Sequence, residues 1–258
     1  MLIAVMACCA LTLSCYVLVS YAQSLGSERA IAADDDPLLH PLPPGIRVRA
    51  FIHTPRVVQP NHTGICKETV PGGDELEWYD VAPWRIGPSG ITWKLNESTV
   101  PAGISASQAR SAIDDAFSAW SFISPNPDFF FDGGKTTIKT AKLDGTNAIL
   151  WKKLRAGILG ETYVWYDTVT GLVVEADSVF NSAHPWVVSN ASGDCSDFDA
   201  YDLQNIATHE LGHWIGLEHV FAEDLTMFLF GAGGELKKRS LGVGDVLGAC
   251  FIYGCDMP

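Results

Sequence analysis

Between residues 209 and 219 the sequence reads His209-Glu210-Leu-Gly-His213-Trp-Ile-Gly216-Leu-Glu-His219. Two histidines four apart stand one above the other on the same face of a helix, so their imidazoles can reach one ion about 2.0–2.1 Å from each nitrogen. Gly216, without a Cβ, can take positive φ and stop that helix. The chain can then turn back and present His219 as a third ligand from outside it. Three neutral nitrogens leave the fourth tetrahedral position open for water, the pattern of a catalytic rather than a structural zinc site. Glu210, next to the first ligand and not needed to hold metal, is placed to take a proton from that water and return it to a leaving amine. The chemistry implied is amide hydrolysis without a covalent enzyme intermediate.

Elements must carry these residues into place. Asp199 or Asp202 can cap the helix bearing the motif, which the pattern extends to about Leu217. An earlier helix is announced by Ser105 with Gln108 three residues on, a capping box. Ala109, Ile113, Ala116, Phe117 and Trp120 follow on one face, and Pro125 and Pro127 end it. Gly90–Asn96 alternates apolar and polar positions as a half-buried strand does. Phe129–Phe131, Asn147–Trp151, Thr162–Tyr166 and Leu172–Phe180 read as further strands, the last two joined by a turn at Asp167–Gly171. A third helix is expected over Val243–Tyr253, with Gly254 as its stop.

The 258 residues carry 17 Lys plus Arg against 30 Asp plus Glu, a formal charge of −13, so a nucleic-acid footprint is absent; the one tight basic cluster is Lys237-Lys238-Arg239. A content of 47% hydrophobic and 18% charged residues excludes a disordered chain. The first charged side chain is Glu28, and the apolar stretch before it reads as an export signal over residues 1–22, with small residues at Ser20 and Ala22 and a cut before Gln23. An uncleaved anchor, tethering the protein to the membrane, is the alternative. Residues 23–74, with Asp34-Asp35-Asp36 and a proline-rich run, read as a pro-segment or linker that contains a strand within Val48–Val58. Residues 75–258 form one catalytic domain. Removing the leader takes away Cys8, Cys9 and Cys15 and leaves Cys66, Cys195, Cys250 and Cys255, which allow three pairings. Because Cys250 and Cys255 lie more than a helical turn apart along a helix, long-range pairs such as Cys195 with Cys250 and Cys66 with Cys255 are favoured. Asn61, Asn96 and Asn190 stand in glycosylation triplets.

The extended zinc motif resembles that of the metzincin endopeptidases, and its surroundings resemble the matrixin branch, especially compact prokaryotic members. The resemblance runs from about Trp84 to Tyr253 and includes Val174–Asn181, Asp202–Thr208 and Gly244–Gly248. It implies an α/β (α+β) fold: a twisted five-stranded mixed sheet backed by two long helices, above a lower part with a Met-turn and a C-terminal helix. It places Met227 in Asp224-Leu-Thr-Met-Phe228 as the methionine beneath the metal. It makes His209, His213 and His219 the zinc ligands and Glu210 the base. It also implies an antiparallel edge strand within Gly160–Tyr166 that pairs with extended substrate, with Thr162, Phe228 and Leu229 as candidates to border the substrate pocket. Calcium is compatible with the acidic loops holding Asp132, Asp144, Asp194 and Asp197, without assigned ligands, and no His cluster for a second, structural zinc is present: His184 stands alone. Val220 replaces the serine usual after the third histidine, and Phe228–Phe230 replaces a Tyr-Pro context, so subsite preference departs from the family. Cys66 lacks the Pro-Arg-Cys-Gly setting of the family's latency cysteine and reads better as a disulfide partner. The implied protein is a secreted, monomeric zinc endopeptidase acting on protein or peptide; the alternative of another class is a zinc-containing surface or binding protein without turnover.

Overall fold

The computed structural model describes residues 37–56, 77–126, 129–189 and 199–255. The chain divides into two units, Met1–Leu39, of which Pro37–Leu39 form one 3-10 turn, and His40–Pro258, which carries every element below.

Seven strands form one sheet: β1 (Ile46–Arg56), β2 (Ile91–Leu95), β3 (Phe130–Lys135), β4 (Asn147–Lys152), β5 (Gly160–Asp167), β6 (Val173–Asn181) and β9 (Phe230–Ala232), in the order β3-β2-β4-β6-β5-β1-β9. A separate two-stranded ribbon pairs β7 (Trp186–Val187) with β8 (Tyr201–Asp202). Strands β2, β3, β4 and β6 are parallel, and β5 runs antiparallel to β6. The five strands expected from the resemblance are thus present, and two more extend them.

Helix α1 (Ala106–Ala119) begins with the expected box: Gln108 N donates to Ser105 Oγ at 3.2 Å and Ser105 N donates to Gln108 Oε1 at 2.9 Å. Helix α2 (Leu203–Ile215) is capped by Asp202, whose Oδ1 accepts from Asn205 N at 2.9 Å, and helix α3 covers Val243–Tyr253. The main core lies where α1 and α2 cover the sheet, with Trp93, Trp120, Trp214, Leu95, Ile113 and Phe180 fully buried. A second cluster on the opposite face holds Leu150, Tyr163, Trp165 and Val179, with Ile46, Val48 and Ala50 of β1 packed against it. Strand alternation therefore gives β1 two different faces: its even residues close this second cluster while Phe51 joins the main core.

Two expectations are corrected, and the asparagine of one glycosylation triplet is found buried. The strand within Gly160–Tyr166 is not an edge: β1 pairs with β5 antiparallel from Ile46↔Asp167 to His53↔Gly160, and β9 then pairs with β1 in parallel. Long-range strand pairing leaves no local mark in a sequence, so the strand expected within Val48–Val58 gave no sign of its partners. The favoured pairs Cys195–Cys250 and Cys66–Cys255 are also overturned, because Cys250 bonds Cys255 across a Cα–Cα distance of 4.7 Å. The helix ends one residue short of the second cysteine's approach: Gly254, at φ 69°, folds the chain back so that its N–H reaches Cys250 O at 2.7 Å. Cys66 and Cys195 lie outside the described residues. Finally, Asn96 is buried, its amide donating to Ile138 O at 2.7 Å and its Oδ1 accepting from Ser98 N, so its side chain is not a free acceptor for a glycan. Asn61 and Asn190 are not among the described residues.

Candidate metal centre and its cleft

Helix α2 lies behind the sheet with every residue from Asn205 to Ile215 buried, so its histidines project inward rather than into solvent. Gly216 ends it at φ 106°, and a Cβ there would lie 2.4 Å from Trp84 O, so both the turn and the close approach require glycine. Past it, the chain returns to set His219 beside the helix. His219 Nε2 is 3.1 Å from both His209 Nε2 and His213 Nε2.

The other ring nitrogens fix the tautomers. His209 Nδ1 lies 2.7 Å from Thr226 O and His213 Nδ1 lies 2.8 Å from Leu217 O. A carbonyl can only accept, so each Nδ1 carries the hydrogen and each Nε2 turns a lone pair toward the common point. All three rings are held well on the neutral side, chiefly by burial, His219 down to about 3. Neutral nitrogens converging this closely, with the hydrogens of His209 and His213 committed to carbonyls, fit a single zinc ion. Among the described residues His209, His213 and His219 form one group able to hold a metal, and His53, His209 and Glu210 form another that overlaps it.

The floor comes from the segment before α3. Met227 is buried with its sulfur against the helix at Gly212, between the two helical histidines; a Cβ on Gly212 would meet Met227 Sδ at 2.3 Å. Asp245, in the first turn of α3, holds this turn by accepting from Thr226 N at 2.7 Å, Met227 N at 3.1 Å and Gly242 N at 2.9 Å. Burial raises the Asp245 carboxyl above its ordinary range against those three donors. Thr226 thus links two roles: its N–H is fixed by Asp245 and its carbonyl orients His209. Tyr253 joins the same region from the far end of α3, accepting from Ile86 N at 2.9 Å and donating to Ile215 O at 3.0 Å.

Glu210 is fully enclosed. A directed chain of donors reaches one oxygen: Trp214 Nε1 donates to Ser178 Oγ at 2.9 Å, Ser178 Oγ is 2.7 Å from Thr162 Oγ1, and Thr162 Oγ1 donates to Glu210 Oε2 at 2.6 Å. Since Ser178 accepts from Trp214 and Thr162 gives its hydrogen to the carboxyl, the serine hydrogen points to Thr162. The other oxygen, Oε1, is 3.0 Å from His53 Nδ1. Burial pushes Glu210 up to about 8 despite the Thr162 hydrogen bond, and burial holds His53 well below its usual range, so this contact is a hydrogen bond between an imidazole without charge and a carboxyl rather than an ion pair.

Of the sequence-derived pocket candidates, Thr162 is fully buried on the Glu210 carboxyl, while Phe228 and Leu229 are buried in the segment leading to β9. Val220 pairs with that segment: its N–H donates to Met227 O at 2.9 Å and its carbonyl accepts from Leu229 N at 3.4 Å. His184 lies apart from the triad, with Nε2 3.0 Å from Ile158 O. Asp132 is paired with Arg110 at 2.6 Å; Asp194 and Asp197 are outside the described residues. The basic run Lys237-Lys238-Arg239 is buried. Lys238 Nζ donates to Phe228 O at 2.6 Å and Phe230 O at 2.9 Å, Lys237 donates to Glu223 O, and Arg239 pairs with Asp202 at 2.6 Å. Lys238 therefore ties down both ends of the pocket-side segment. Sequence reasoning missed this, along with Asp245 and, above all, Phe51 and His53 of β1.

The profile of the matrixin peptidases (peptidase M10, Matrixin) matches residues 84–254. Metalloendoproteinase 1-MMP of Arabidopsis thaliana is 28% identical over 170 residues, 64% of this chain and 43% of that protein. Human matrix metalloproteinase-16 is 27% identical over 172 residues, 64% of this chain and 26% of its own length. Metalloendoproteinase 4-MMP of Arabidopsis thaliana aligns over 251 residues, 93% of this chain, at 26% identity. The chain thus spans less than half the length of the first two of these relatives. With more than half of its residues inside the matched span, and the whole histidine triad, Glu210 and Met227 among them, the chain belongs to the matrixin family.

Proposed function

We propose that the protein is an exported zinc-dependent endopeptidase that hydrolyses peptide bonds in extended polypeptides, with His209, His213 and His219 holding one zinc ion and Glu210 as the general base. The observation that carries this reading is the convergence of three Nε2 atoms, His219 lying 3.1 Å from each of the other two, beside the buried carboxyl of Glu210. A zinc ion held by the triad would supply Lewis acidity, bringing the pKa of water toward neutrality and polarising the scissile carbonyl.

The chain's own residues do the rest. Glu210 takes a proton from the attacking water and passes it to the leaving amine nitrogen. The Trp214–Ser178–Thr162 donors hold its carboxyl in one orientation through the cycle. A carboxyl whose affinity for protons has been raised toward neutral pH is suited to both accepting and releasing one. Met227, Thr226 and Asp245 keep the floor and the His209 ring fixed. Substrate enters between β5 and the Phe228–Ala232 segment, with Phe228 and Leu229 bordering the pocket after the scissile bond. Export rests on the apolar leader at residues 1–22; among the described residues no helix is long and apolar enough to cross a bilayer.

Glu210→Gln tests the mechanism. Metal analysis should show zinc nearly unchanged, while hydrolysis of an unstructured protein falls by about 10²–10⁴-fold. Undiminished hydrolysis would remove Glu210 from the reaction.

A further inference from the structure

Rings of β1 pack on two of the three histidines, Phe51 on His213 at 3.8 Å and His53 on His209 at 3.9 Å. His219 also borders an opening of its own. A pocket of about 440 Å³ lies between residues 77–80 and 219–221, and its lining includes Glu77, Trp78, Tyr79, Asp80, His219 and Phe221. It shares no lining residue with the Phe228–Ala232 segment, so it is separate from the pocket proposed for the residue after the scissile bond.

Main-chain pairing sets its two walls. Past the Gly216 turn, Glu218 N donates to Asp80 O at 3.0 Å and Ala82 N donates to Gly216 O at 2.8 Å, with Val81 opposite Leu217. These bonds hold the 80–82 run alongside the one that leads to His219. Tyr79 anchors the outer wall on α3: a Cβ on Gly248 would lie 2.9 Å from Tyr79 Cβ, and the Tyr79 ring centroid is 5.9 Å from that of Phe251. The groups at the mouth are unusual for a protein surface. Trp78 is 65% and Phe221 68% exposed, although side chains of this size normally go inside. Between them, Glu77 and Asp80 form no ion pair with any described residue. Asp80 Oδ1 accepts only from the neighbouring Val81 N, at 2.9 Å, whereas Glu218 beside His219 is already paired with Arg49.

Two carboxylates among aromatic faces select by charge. A guanidinium can lie flat on a ring and hydrogen-bond a carboxylate in the same pose. An apolar side chain would strip water from the carboxylates without giving them a partner, and an acidic one would be repelled. We infer that this pocket is a substrate subsite for a basic side chain, arginine before lysine, and that Glu77, Trp78 and Asp80 set the preference. This rests on the proposed endopeptidase, since it is the polypeptide held beside the zinc that supplies the side chain. The basic residue then stands at one fixed place in the substrate, different from the place after the scissile bond. A formal charge of −13 draws cationic chains toward the pocket.

The test uses zinc-loaded full-length protein in three forms: wild type, Glu210→Gln and Glu77→Gln/Asp80→Asn. Acetyl-arginine methylamide is titrated into each while NMR follows the indole N–H of Trp78, identified by its loss in Trp78→Phe. The citrulline analogue, of similar shape and without charge, is the control. The Trp78 signal should shift saturably with the arginine probe in wild type and in Glu210→Gln. Citrulline on any form, and arginine on the double variant, should bind about fivefold or more weakly. In parallel, wild type and the double variant digest an unstructured protein, and the cleavage sites are read by mass spectrometry. Arg and Lys should be enriched at one fixed position in the wild-type cuts, and the double variant should keep cutting without that enrichment. Equal binding of the two probes, or no shift of Trp78, overturns the subsite and leaves the endopeptidase standing. Arginine binding with cuts indifferent to basic residues removes the pocket from substrate choice. Arginine binding with no cuts by any form sinks the endopeptidase and leaves a cation site. Both substituted carboxylates are exposed, and should the double variant still fail to fold, Asp80→Asn alone takes its place and must weaken arginine binding.

Discussion

Gly212 separates the two helical histidines and lies directly over Met227. Alanine there would favour the helix by roughly 1 kcal/mol, yet its Cβ would sit 2.3 Å from Met227 Sδ and 3.1 Å from the Trp120 ring. Overpacking of this kind costs about 1–3 kcal/mol, so Gly212→Ala should destabilise the protein by up to about 2 kcal/mol net. Because Met227 follows Thr226, whose carbonyl orients His209, displacing it should also make the variant bind zinc more weakly than wild type in a chelator competition. Equal stability and equal zinc affinity would mean that Met227 moves aside freely and is no floor. The grouping of His209, His213 and His219 beyond Gly216 could be read from offsets along one helix and its turn, whereas Met227 was placed by the family resemblance. Asp245 was legible from neither. Its value comes from three main-chain N–H groups of residues 226, 227 and 242 gathered around it, a fact of the fold and not of spacing.

At the scale of elements, caps and strand alternation reported themselves. Ser105 with Gln108, Asp202 and Gly254 mark their helices because capping is local chemistry. The places of the 237–239 run have no such local mark: tertiary packing alone puts Lys238 on the carbonyls of Phe228 and Phe230, Lys237 on Glu223 O and Arg239 on Asp202. Burial lowers Lys238 from 10.5 to about 8, a displacement worth roughly 3 kcal/mol at 1.36 kcal/mol per pH unit. The sign follows from proton binding. A base with a depressed folded pKa binds fewer protons folded than unfolded between about 8 and 10.5, so its contribution is full above 10.5 and lost as pH falls through 8. Wild type should therefore gain on Lys238→Met between pH 7.5 and 10.5, by up to roughly 3 kcal/mol in denaturant titrations. A gap independent of pH would show that burial does not displace the proton equilibrium of the Lys238 amine.

At the scale of the whole molecule, the triad joins α2 to the chain beyond Gly216, over a turn fixed by α3. Metal binding in such a place is folding free energy. With free zinc at a thousand times Kd the folded state gains about 4 kcal/mol, and at about 2–4 °C per kcal/mol for a chain of this size stripping the metal should lower Tm by roughly 10 °C, restored on adding zinc back. A Tm indifferent to chelator and to zinc would refute metal binding by the triad. The order of assembly is constrained as well. β1, at residues 46–56, finds its antiparallel partner only at 160–167 and its parallel partner only at 230–232. Contacts so distant along the chain close late, because loop entropy must be overcome before they form. During synthesis the strand that leaves the ribosome early has to wait until most of the polypeptide has followed before its second edge exists. The full sheet order is therefore a product of the finished chain, and a polypeptide cut short before residue 230 would carry β1 with nothing to dock it on that side.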